Sequence, residues 1–122
     1  MSEIRDQLEA AAHELARLAR GADPSRMDDP TPCPGHDVGT LMVHLMQEMV
    51  LHGWDVAAAT GQTARFPDEV SATVLGYLDG DGEQERAEGW YGERVSTASD
   101  SLLDRAVAAS GRDPEWTRPG AR

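Results

Sequence analysis

Between Asp37 and Gly61 runs a stretch that limits every fold open to this chain. Leu41, Met42, Val43, Leu45, Met46, Met49, Val50, Leu51 and Trp54 recur at helical spacing and leave almost no polar face. Asp37 is placed to cap the start of this helix, and Gly61 to stop it after about Thr60. A helix that is apolar nearly all round has to be buried nearly all round. The remaining helices of one chain are too few to enclose it. The stretch therefore predicts self-association as well as helical structure.

The segments on either side are shorter and more ordinary. Residues 3–20 place Ile4, Leu8, Ala11, Ala12, Leu15 and Leu18 on one face, with Ser2 as N-cap and Gly21 as the stop. The stretch from Ala22 to Gly35 holds four prolines, which exclude a helix or a central strand and make it a linker. Pro67 sits near the start of a third helix reaching about Leu78, with Val70, Val74 and Leu78 on one side. Residues 79–98 read as a loop carrying Trp90 and Tyr91. Ser99 caps a last helix whose buried stripe is Leu102, Leu103, Ala106 and Val107, and Gly111 ends it. No internal repeat, heptad pattern or strand pair stands out. The expectation is one all-α domain over residues 1–122, a helical bundle.

Charge and cysteine content exclude several partners. A formal net charge of -11, spread over both halves, repels phosphate backbones and argues against nucleic acid. Cys33 is the sole cysteine, so no internal disulfide can form and a reducing compartment is the simplest setting. The first residues lack the basic-then-apolar order of a leader, and no apolar run approaches the roughly 20 residues that span a bilayer. The chain is expected to be soluble and cytoplasmic, with no membrane partner.

Along the apolar helix His44, Glu48 and His52 stand at i, i+4 and i+8. Such positions lie one above another on a helix surface. Two imidazoles and a carboxylate suit zinc and also serve iron, nickel or manganese. Each costs free energy in apolar surroundings unless satisfied, and a metal would satisfy all three. The spacing alone leaves a second reading open, in which they are core polar residues bonded to one another or to water. Asp55, three residues past His52, is placed to orient its imidazole, or else is an exposed helix charge. Among other candidates, Cys33 is either a reactive thiolate or, the more common case for a free cysteine, a buried small hydrophobe. His36 reads as a capping or surface residue, His13 as exposed, and Trp54, Trp90 and Trp116 as packing anchors. No nucleophilic triad, phosphate loop or dinucleotide fingerprint is present.

The segment Thr31-Pro32-Cys33-Pro34-Gly35-His36-Asp37-Val38, followed by Leu41 and His44, resembles the DinB-like, mycothiol-dependent maleylpyruvate isomerase superfamily. So does Glu48-Met49-Val50-Leu51-His52-Gly53-Trp54-Asp55, continuing into Ala59-Thr60-Gly61-Gln62. The ending Ser110-Gly111-Arg112-Asp113-Pro114-Glu115-Trp116 is similar to the C-terminus of an actinobacterial branch of that family. The resemblance implies a DinB-like fold and a divalent metal, commonly zinc, whose ligands fall by motif on His44, Glu48 and His52. It also implies a low-molecular-weight thiol such as mycothiol, activated on the metal and transferred to, or attacking, a small electrophile.

Two departures qualify the match. Family members carry about two further helices between the first His and the later Glu-x-x-x-His block, and here the two half-helices are fused. His36 stands where the family usually has Trp. Fusion separates His44 from His52 by about 12 Å along the axis, too far to share one ion at ligand distances near ~2 Å. Glu48 and His52 can share one, so the third ligand has to come from elsewhere. In an intertwined homodimer whose long helices pack antiparallel with Glu48 near the axis, His44 of one copy lies level with His52 of the other, giving two equivalent sites. The expected function is a metal-dependent thiol transferase or isomerase-like enzyme. The alternative is a non-catalytic dimeric metal-binding scaffold or partner-binding module, because the shortened chain has lost much of the family's pocket wall.

Overall fold

A computed structural model describes residues 3–80 and 82–120. Its elements in chain order are α1 (Ile4–Arg20), a 3-10 turn (Pro24–Arg26), α2 (Val38–Thr60), α3 (Asp68–Asp79), α4 (Gly82–Ala87) and α5 (Leu102–Ala109). No strand occurs among the described residues, only an isolated bridge between Pro30 and Asp37. The all-α expectation holds. No helix among them is long and apolar enough to cross a membrane. The chain divides into two compact units at Met42/Val43.

The first unit holds α1, the proline-rich linker and the start of α2. The linker is pinned locally: Asp23 accepts from the Ser25 amide, Val38 N–H donates to Asp29 O at 3.0 Å, and Gly39 N–H donates to Met27 O at 2.8 Å. Asp37 caps α2 as expected, accepting from the Thr40 amide at 2.8 Å, while the Thr40 hydroxyl accepts from the Asp37 amide at 3.0 Å. Two expectations fail here. No residue of α1 is buried, although its apolar face is well formed. Cys33 is exposed, because the Thr31 hydroxyl accepts its amide and closes a tight surface turn that offers its thiol no apolar cover. Ser2, the expected N-cap of α1, lies outside the described residues.

The second unit contains the core. Val50 of α2 meets Val74 and Leu78 of α3 and Ala106 and Ala109 of α5, with Phe66, Leu103 and Tyr91 packed around them. Small residues on α5 let it approach α3 closely. Gly53 performs the same service on α2, where a Cβ would stand 2.8 Å from Phe66 Cζ. Gly61 follows α2 with φ +72°, the left-handed conformation a helix stop requires.

Several boundaries differ from expectation. Within the expected loop 79–98, α4 forms because Glu83-Gln84-Glu85-Arg86-Ala87 are strong helix formers, the acids sitting at its positive end. The flanking glycines hide this short run. The last helix is capped by Ser101 rather than Ser99. Ser101 Oγ accepts from the Asp104 amide at 3.2 Å, whereas Ser99 bonds the Asp104 carboxylate and the Ser101 amide. Trp90 is 70% exposed and anchors nothing. Most important, α2 is not buried all round: Gln47, Val50, Leu51 and Ala57 are buried, but Met49 and Val56 are 51% and 56% exposed.

Candidate metal centre

The open side of α2 is the side that carries the candidate ligands Glu48 and His52. Because α2 is continuous from Val38 to Thr60, His44, Glu48 and His52 fall on one stripe, all within the second unit. His44 is half-buried, and Glu48 and His52 are exposed. Glu48 Oε2 and His52 Nε2 stand 3.2 Å apart. On its other edge the same imidazole meets Asp55, with Nδ1 3.0 Å from Oδ2. Asp55 in turn is gripped by Arg112, whose Nε donates to Oδ1 at 2.7 Å and whose Nη2 donates to Oδ2 at 2.9 Å. The third guanidinium nitrogen, Nη1, donates to Ser110 Oγ at 3.0 Å.

This row constrains which edge of the ring faces Asp55. The bonds from Arg112, and behind them the one from His52, hold the Asp55 carboxyl below its usual range against an opposing effect of burial. A carboxylate only accepts, so a hydrogen bond across this contact requires the tautomer with its proton on Nδ1. A neutral imidazole then turns its Nε2 lone pair toward Glu48. Two electron-rich atoms at 3.2 Å need a positive centre between them, either a second ring proton or a cation. The spacing accommodates either: it lies at the long end of an N–H···O bond, and donors each about 2.1 Å from one ion, at angles of about 90° to 110°, lie about 2.9–3.4 Å apart. Glu48 and His52 therefore fit as half of a metal site, with Asp55 in the orienting position behind the imidazole.

His44 does not complete the set within one chain. Among the described residues no group of three or more His, Cys, Asp and Glu side chains is arranged to hold one ion. The rise of α2 alone accounts for this, since two helical turns separate His44 from His52.

Two neighbouring features were not anticipated from the sequence. Arg112 lies 57 residues from Asp55, beyond any helical periodicity that would link them. Tyr91 falls in the stretch expected to be a loop, yet the pKa of its hydroxyl is strongly raised above the ordinary tyrosine range. Burial is the first cause, followed by Glu85 and Tyr77, with Glu48 contributing last. Beside the Asp55–Arg112 pair lies a cavity of about 440 Å³, lined by Trp54, Ala58, Ala59 and Trp116 and bordered by the ion pair itself.

The family model described as the mycothiol maleylpyruvate isomerase N-terminal domain matches residues 8–122. No curated protein and no solved structure matches the chain.

Proposed function

The chain belongs to the mycothiol maleylpyruvate isomerase N-terminal domain family, a DinB-like family, and on that premise we propose that it is a divalent-metal protein working with a low-molecular-weight thiol. Glu48 and His52 hold the ion, zinc in the first instance and nickel, iron or manganese as alternatives. His44 of the partner subunit supplies the third ligand in a homodimer. The observation that carries this reading is the Glu48–His52 separation of 3.2 Å with Nδ1 already committed to Asp55.

The dimer draws support from two uncovered surfaces. Met49 and Val56 adjoin one edge of the Glu48–His52 stripe on α2, and Ile4 and Leu8 of α1 are 78% and 68% exposed. Apolar surface of this kind is what a second copy can bury. With α2 packed antiparallel against its own copy, each His44 comes level with the other copy's His52.

A bound ion with three protein ligands keeps a position for a thiol and, as a Lewis acid, favours its thiolate. The protein's own part is to place the donors: Asp55 holds the Nδ1 proton of His52, and Glu48 presents its carboxylate one turn earlier. The reading assigns a cytoplasmic S-transfer or isomerisation, with mycothiol or a similar thiol acting on a small electrophile.

Native mass spectrometry of the protein, purified without a chelating tag, tests this. A dimer with two metal ions, lost in His52→Ala, is the expected result, followed by thiol transfer to a test electrophile. A metal-bearing dimer without transfer activity, or a metal-free dimer, turns the reading to the non-catalytic scaffold. A metal-free monomer ends both the site and the dimer.

A further inference from the structure

Arg112 has no place in the ligand set, yet it makes the most extensive side-chain contacts near it. Its guanidinium spends three nitrogens on two partners, a two-point grip on Asp55 and a single bond to Ser110, and it is largely buried in doing so. Its backbone is fixed too, the Arg112 amide donating to Val107 O at 3.1 Å. Ser110 is itself buried, and its hydroxyl donates to Val107 O at 2.6 Å. The planar fork of arginine matches a carboxylate at two points, so Asp55 cannot rotate without breaking a bond. One oxygen, Oδ2, is shared by Arg112 and His52.

From this geometry we propose that Arg112 is a positioning residue for His52: by locking Asp55 it fixes the Nδ1–H tautomer and turns Nε2 toward Glu48 and any cation bound there. The part that concerns a cation rests on the metal reading above. The part that concerns the ring does not. Without the guanidinium, the Asp55 carboxylate is free to turn to solvent. His52, an exposed side chain, then samples both tautomers and other rotamers. A metal site loses affinity when such an outer partner is removed, typically 10- to 100-fold.

The test uses the full chain and two readouts. Zinc affinity is measured by competition with a chromophoric chelator, and the tautomer of His52 is read from nitrogen-15 imidazole spectra of the metal-free protein. Wild type is expected to show the Nδ1–H form. Arg112→Gln is expected to show mixed tautomers and zinc binding weakened at least tenfold, with Arg112→Lys restoring part of both. Ser101→Ala, which weakens a distant helix cap, controls for general loosening and is expected to leave both readouts alone. Circular dichroism of the metal-free variants confirms folding, and if Arg112→Gln does not fold, Arg112→Lys against wild type carries the comparison. A folded variant that keeps the Nδ1–H tautomer and wild-type zinc affinity overturns the proposal. If wild type binds no zinc, the metal reading fails, and the imidazole spectra alone decide the role of Arg112.

Discussion

Asp37 illustrates how much a single side chain settles. Its Oδ1 accepts from both the amide and the hydroxyl of Thr40, each at 2.8 Å, and these bonds hold the carboxyl below its usual range. A carboxyl whose folded value is depressed stabilises the fold fully above its unfolded value near ~3.9 and loses that contribution as pH falls through the folded value. Asp37→Asn keeps a capping oxygen but not the charge. Thermal melts from pH 7 to pH 2 are expected to show the variant slightly less stable at neutral pH and converging with wild type in acid. Cap residues of this kind are legible in a sequence because donor and acceptor lie within one turn. Where two capping residues stand close together, as Ser99 and Ser101 do, the pattern does not choose between them. Arg112 marks the limit of such reading. Its partner is set by tertiary packing, and nothing local distinguishes it from a surface arginine.

Among the elements, the long helix was the most legible and also the most instructive in its failure. Its span, cap and stop follow from local chemistry, and Val38–Thr60 agrees with them. The expectation of all-round burial came from treating apolar residues as a guarantee of cover within one chain, whereas Met49 and Val56 stay open beside Glu48 and His52. α4 was missed for the opposite reason, a six-residue helix being too short to show a period. The connection after α5 offers a sharp test of packing between elements. Gly111 has φ +95°, and a Cβ there would stand 2.8 Å from the backbone of Gly92. A side chain is penalised both by the left-handed conformation and by a backbone that cannot yield. Gly111→Ala is expected to cost at least about 2 kcal/mol, read as a lower urea midpoint with an unchanged slope.

At the scale of the molecule, the core is small and confined to the second unit, where Val50, Val74, Leu78, Ala106 and Ala109 form its centre. α1 contributes no fully buried residue, with only Ala12 and Leu15 half-buried, so its helix rests mainly on its own hydrogen bonds and on surface pairs such as Glu14 with Arg17. An isolated helix of 17 residues is marginal in water. Hydrogen exchange measured over a dilution series is expected to show weak protection of α1 in dilute protein, rising with concentration as a second copy covers Ile4, Leu8 and Leu18. Protection independent of concentration would remove α1 from the proposed interface.

The fork between Arg112 and Asp55 also sets an order of events. Glu48 and His52 become neighbours as soon as α2 winds, since one helical turn separates them. Closing the Asp55–Arg112 contact spans 57 residues, and such closure comes only after the intervening helices have condensed. The donor pair is thus early and its alignment late. A partly folded chain is therefore expected to carry Glu48 and His52 side by side before the segment after α5 docks and sets the imidazole. The setting of the His52 ring is thereby tied to completion of the fold around it.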